Sequence, residues 1–218
     1  MDTPKLLPIL DAAQLRVLGA LMEKCKTTPD YYPMTLNSLT AACNQKTSRK
    51  PVVQYDESTI VSALNSLKIV GLTSTATGGS IRNIKYKHNF AIVFPVVPAE
   101  VAIMCLLFLR GQQTPGEINT NSGRLYEFET LEEVQQTLEK LANETPAYLK
   151  QLPRKPGQKE VRYMHLFAGD SKATEEEYLN ETISSKGNSE FEERLSKVEE
   201  ELAELKVNFD KLMKELMG

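Results

Sequence analysis

Residues Thr28 to Val52 read TPDYYPMTLNSLTAACNQKTSRKPV, and this stretch decides the fold. Thr28-Pro29-Asp30 and Tyr32-Pro33 are turn chemistry, because proline fixes φ and aspartate bonds its own backbone. Thr35 is an N-cap, and Leu36, Leu39, Ala42 and Cys43 then form one apolar helical face. Asn44 can stop that helix, and Lys46, Arg49 and Lys50 crowd the loop before Pro51. Asp56 caps a longer helix in which Ile60, Leu64 and Leu67 make the buried stripe and Gly71 supplies the stop. A short capped helix, a turn and a longer helix form a helix-turn-helix arrangement.

Working outward, Asp11 and Gln14 make a capping box that opens an upstream helix carrying Leu15, Leu18, Met22 and Cys25, widened by Val17 and Leu21. Downstream, Leu72 to Ala76, the turn Gly78-Gly79-Ser80 and a return strand Ile81 to Phe90 predict a hairpin. Three helices and a hairpin predict a winged helix. The pattern then repeats. Glu100 to Arg110 is an apolar helix ended by Gly111, Thr114-Pro115-Gly116-Glu117 is a capping box, and Thr130 to Glu133 is another. Val134, Leu138 and Leu141 keep the spacing of Ile60, Leu64 and Leu67, and Tyr163, His165 and Phe167 match Tyr86, His88 and Phe90 at a constant offset. Internal duplication follows. The expected fold class is α+β, mostly helical: winged-helix domains over 1–94 and 95–169, an acidic linker over 170–190 and a coiled-coil helix over 191–218.

The charge is unevenly spread. Met1 to Ala168 holds 19 Lys+Arg against 15 Asp+Glu, while Gly169 to Gly218 holds 7 against 14. A mildly basic body with an acidic tail is a charge asymmetry in which the tail could lie over the basic wings and compete with phosphate. In the tail, Leu195, Leu202, Phe209 and Leu216 take a positions and Phe191, Val198, Leu205 and Leu212 take d positions of a heptad. In a parallel homodimer Arg194 would face Glu199 of the second copy and Glu201 would face Lys206. The alternative is an amphipathic helix folded back on the body. The 20 residues from Phe90 to Leu109 are almost wholly apolar, but Pro95, Pro98 and Glu100 in their middle argue against a membrane span. Cys25, Cys43 and Cys105 share no close spacing, and MDTPKLLP lacks a signal-peptide pattern, so free thiols in the cytoplasm are expected.

Five motifs carry a resemblance to the YceH family of bacterial proteins: LRVLGALMEK (Leu15 to Lys24), TTPDYYP (Thr27 to Pro33), LNSLTAACNQKTSRKPV (Leu36 to Val52), LRGQQTPGEI (Leu109 to Ile118) and LPRKPGQKEVRYMHL (Leu152 to Leu166). The resemblance covers nearly all of Leu10 to Gly169. It implies two winged helices in tandem, often followed by a coiled-coil-like helix, and carries over no catalytic residue.

The residues themselves point away from catalysis. His88 and His165 sit at matching strand ends, which favours a packing role over metal binding, since zinc needs three or four close ligands. The cysteines lie on apolar faces without a neighbouring histidine. No glycine-rich phosphate loop occurs, and no cofactor or metal is expected; the chain reads as a non-enzyme. For DNA, winged helices place the longer helix in the major groove and the wing along the phosphates. Lys46, Arg49 and Lys50 in the loop, Arg82, Lys85 and Lys87 in the first wing and Arg154, Lys155, Lys159 and Arg162 in the second are the candidate phosphate contacts, because phosphate recognition needs only positive charge and reach. The first longer helix offers Glu57, Ser58, Ser62, Asn65, Ser66 and Lys68, and the second Glu132, Glu133, Gln135, Gln136, Glu139 and Lys140, whose three carboxylates count against base reading. A DNA-binding regulator is the first expectation; a scaffold binding another protein through its winged helices is the alternative.

Overall fold

The computed structural model describes residues 6–76, 84–154 and 160–169. The chain divides into two compact units, Met1–Gly169 and Asp170–Gly218. The second unit, with the whole predicted heptad from Phe191 to Leu216, lies outside the described residues, as do Arg82, Lys155 and Lys159.

Helix α1 (Ala12–Thr27) starts where Asp11 accepts from the Gln14 amide at 2.8 Å and Gln14 accepts from the Asp11 amide at 3.2 Å. A 3-10 turn at Pro29–Tyr31 and a two-residue strand β1 (Met34–Thr35) lead to α2 (Leu36–Cys43), capped by Thr35. Helix α3 (Glu57–Ile69) starts on Asp56, and Gly71 takes the left-handed conformation at its end (φ 78°), leading into β2 (Thr73–Ala76) and β3 (Lys85–His88). After the short α4 (Phe90–Val93), the order of elements recurs: α5 (Pro98–Arg110), α6 (Pro115–Ser122), α7 (Leu131–Asn143), β4 (Leu149–Leu152) and β5 (Arg162–His165).

The recurrence extends to register. β1 pairs with β3 so that Met34 faces Tyr86, and β3 pairs with β2 so that His88 faces Thr73. In the second half β1 shrinks to a single bridge, Gln113 to Tyr163, and His165 faces Leu149. Thr35 and Thr114, each one residue past these partners, cap α2 and α6.

Three local features differ from the sequence reading. The return strand is shorter than Ile81 to Phe90, because Asn89 turns the chain and Phe90 opens α4. The strand β1 is too short to produce an alternating pattern and was not expected. At α7 the cap is only half a box: Thr130 accepts from the Glu133 amide at 3.1 Å, but the Glu133 carboxylate bonds the Glu129 amide and the Tyr126 hydroxyl instead.

The core explains why α1 and α5 are apolar around most of their circumference. Leu15 to Met22 are all buried in α1, and Ala102 to Leu109 are all buried in α5. These two helices pack directly on each other, while α3 covers another side of α1 and α6 and α7 cover α5. Gly19 makes the crossing possible: a Cβ there would meet the Leu109 side chain at 2.9 Å and the Phe108 Cβ at 3.1 Å. An aromatic cluster extends this interior, with Phe90, Phe94 and Phe108 each 5.3–5.8 Å from Phe167. Phe90 and Phe167, the repeat-matched pair of the sequence, are both fully buried. Two backbone bonds complete the join: Leu10 N–H to Phe167 O at 2.6 Å and Lys50 N–H to Leu109 O at 2.9 Å.

Candidate functional site

The loop from Asn44 to Tyr55 carries the densest group of predicted phosphate contacts, and three polar side chains fix its path. Asn44 closes both sides of the loop, donating to Tyr55 O and accepting from the Tyr55 amide, each at 2.8 Å. Arg16, buried in α1, donates to Cys43 O at 3.0 Å and to Pro51 O at 2.6 Å. Arg49 turns inward: its guanidinium is fully buried and forks onto the Glu23 carboxylate at 2.6 and 3.0 Å. It also donates to the Ala42 and Ser48 carbonyls and to Gln45. Burial pushes the Glu23 carboxyl up, but the bonds and charge of Arg49, with Lys24 beside it, outweigh this and hold it below its ordinary value.

Arg49 is therefore a strut of the loop, and it does not join the outward cations. Lys46 and Lys50, by contrast, are exposed on the loop so fixed, and Lys87 is exposed and Lys85 half-buried on β3. In the second half Arg154 is exposed, but Arg162 is engaged: it forks onto Glu117 at 2.9 and 3.0 Å and donates to Gln112 O at 3.1 Å. Those bonds join β5 to the start of α6, where Glu117 also completes the Thr114 capping box.

The two longer helices present different faces. α3 turns Glu57, Ser58, Ser62, Asn65 and Lys68 to solvent, followed by Ile69. α7 exposes Glu132, Gln135, Gln136, Glu139 and Lys140. Lys140 is held at 2.6 Å by Glu100, itself buried at the start of α5, so the exposed face of α7 is acidic in effect.

Of the groups set apart as structural from the sequence, His165, Cys43 and Cys105 are buried, while His88 and Cys25 are half-buried. Burial lowers both histidines to a pKa of about 4, with the Lys26 charge adding to the effect at His88. His88 Nδ1 accepts from the Phe90 amide at 3.3 Å. Burial pushes the Cys43 thiol up to about 12 and raises Cys105 as well, which keeps both as neutral thiols. Among the described residues no three His, Cys, Asp or Glu side chains cluster as a metal site, and no helix is long and apolar enough to cross a membrane.

Sequence reasoning did not single out a cleft between this loop and the α5–α6 turn. Lys50, Arg110, Gln113, Asn121 and Arg162 line it, along with Glu117, around a volume of about 250 Å³. Its residues come from both halves of the chain. A repeat comparison does hold one signal for it: the position occupied by the buried Met34 in the first half is occupied by Gln113 in the second.

Comparison with known proteins finds a family model, described as a protein of unknown function, DUF480, that matches residues 10–158. A UPF0502 protein of Solibacter usitatus is 47% identical over 201 residues, covering 92% of this chain and 95% of its own. A UPF0502 protein of Shewanella putrefaciens is 41% identical over 214 residues, covering 93% and 97%. A third, from Opitutus terrae, is 48% identical over 164 residues, covering 75% and 71%.

Proposed function

We propose that this chain, which belongs to the DUF480 family, is a non-enzymatic tandem winged-helix protein that binds duplex DNA and regulates transcription. The observation that carries the reading is the solvent face of α3. Ser58, Ser62, Asn65 and Lys68 are exposed along it, while the carboxylates Asp56 and Glu57 are confined to its start. Short polar side chains and a lysine suit a base-edge surface, since asparagine pairs with adenine and serine with either partner. The recurring order of three helices and a hairpin supports the tandem winged-helix reading, in line with the resemblance to the YceH family. Lys46, Lys50 and Lys87 are exposed cations of the same half, available to phosphate. The acidic face of α7 gives the second half a supporting rather than a reading role. The heptad over 191–218 supports a homodimer, and loss of mass by light scattering on deleting those residues tests it.

Fluorescence anisotropy of a duplex against full-length protein across a salt series tests DNA binding. Phosphate contacts predict a log–log slope of about −0.9 per contact. Lys68→Glu and Lys87→Glu should each weaken binding, and their slopes should flatten. No binding at low salt would overturn the proposal. The scaffold reading would then take its place, with exposed Ile69 and Ile92, 86% and 82% accessible, as candidate apolar contacts.

A further inference from the structure

We infer that the cleft between the Asn44–Tyr55 loop and the α5–α6 turn is a binding site for a small molecule carrying a phosphate or diphosphate group. The cations lining it divide into those already engaged and those that are not. Arg49 is engaged by Glu23, and the terminal nitrogens of Arg162 by Glu117 and Gln112 O. The side chains of Lys50 and Arg110 form no hydrogen bond or ion pair among the described residues. Arg110 is nevertheless half-buried, and its burial, opposed by the Glu23 charge and reinforced by that of Arg49, lowers its pKa. A bound anion would offset this lowering.

A second observation is independent of these charges. Gln113 is only 4% exposed, and its Nε2 is buried without a hydrogen-bond partner, while its Oε1 accepts from Asn121 at 3.1 Å. The matched position in the first half is satisfied by Met34, so the fold does not require an amide there. Arg162 Nε is likewise buried without a partner. A buried donor left unpaired is costly, and native structures seldom keep one without a reason.

The unpartnered groups are all donors: one lysine ammonium, one guanidinium, one amide N–H₂ and one further guanidinium N–H. The carboxylate in the cleft, Glu117, is already forked by Arg162. What fits is therefore an acceptor-only anion, and a phosphate offers several acceptor oxygens with about −2 charge. The volume of about 250 Å³ has room for a phosphate or a diphosphate. A neighbouring cleft of about 360 Å³ shares Arg110 and Asn121 and adds Arg124, with Lys24 there already paired to Glu23 at 3.3 Å, giving room for an organic remainder. No α3 residue lines this cleft, which shares only Lys50 with the phosphate contacts proposed for DNA, and it would suit a small effector.

Isothermal titration of the full-length chain with sodium pyrophosphate, at ionic strength held constant with chloride, tests the inference. The expected result is saturable binding of one equivalent, weakened by roughly tenfold or more in Arg110→Gln, as for the loss of one charge-assisted hydrogen bond. Gln113→Glu keeps the acceptor for Asn121 but turns the free donor into an anion, and should abolish binding. Exposed Lys50→Gln cannot disturb the core and should weaken binding several-fold, which keeps the test decisive if a buried variant fails to fold. No saturable heat, or equal affinity in all variants, overturns the site. Tighter binding of citrate than of pyrophosphate overturns the phosphate assignment. If pyrophosphate fails while Arg110→Gln loses duplex affinity, the cleft belongs to the nucleic acid and the effector site is overturned. Because the titration contains no DNA, its failure leaves the α3 reading untouched.

Discussion

Arg49 shows what a single side chain can conceal in a sequence. Lys46, Arg49 and Lys50 form one basic run, and nothing local separates the inward residue from the outward ones. The partner that decides it, Glu23, lies a helix away, and long-range pairing leaves no spacing signal. Arg49→Ala should destabilise the fold by about 3 kcal/mol, measured by urea unfolding, because it removes the forked partner of a carboxylate that is only 13% exposed, leaving it Lys24 at 3.3 Å. Lys46→Ala, at an exposed site, should leave stability unchanged. The reverse ranking would put Arg49 back among the surface cations. Arg16 and Gln113 were illegible for the same reason, since a buried polar residue on an apolar helix face or strand reads as an exposed one. The histidines were legible from their repetition. Each titrates near 6.5 when unfolded but near about 4 when folded, so between those values the unfolded chain holds more protons. Their contribution to stability is fully present above pH 6.5 and is lost as pH drops toward about 4, by up to roughly 3 kcal/mol per histidine. Melting temperature against pH should show this slope, and His165→Gln should flatten it. An unchanged slope would place the proton uptake elsewhere.

Elements whose signals are local were readable in the sequence. The Asp11, Thr35, Asp56 and Thr114 caps and the glycine stops at Gly71 and Gly111 follow from backbone chemistry within a turn or two. β1 and α4 were not, being two and four residues long and held by partners distant in sequence. Close helix packing is also a property of two elements together, and paired glycine substitutions expose it. Gly19→Ala raises helix propensity by about 1 kcal/mol, yet its Cβ would press on the buried Leu109 at 2.9 Å. Overpacking of this kind costs about 1–3 kcal/mol, so a net loss of stability is expected by thermal melting. Gly123 has right-handed backbone (φ −52°) and nothing within 4 Å of a prospective Cβ. Gly123→Ala should therefore stabilise by about 0.4–1 kcal/mol. A stabilising Gly19→Ala would mean that α1 and α5 are free to separate.

Across residues 6–169 the two halves share one interior rather than owning one each. The repeat was visible from matched stripes and strand ends, but not this sharing, because an apolar helix looks the same whichever neighbour covers it. α1 of the first half rests on α5 of the second, and Phe90 meets Phe167 at a ring separation of 5.8 Å. Phe167→Ala should cost about 3–5 kcal/mol, and both halves should still melt in one calorimetric transition. Two resolved transitions would show that each half has a sufficient core of its own. The backbone bond from Leu10 to Phe167 has a different kind of consequence, since it brings the entrance and the exit of this body side by side. A circular permutant, reopened at the exposed Pro95 and closed by a short linker from Ala168 to Ile9, would bury the same side chains in the same places. Which half comes first along the gene is then a matter of ancestry, and the physics of the fold is indifferent to it.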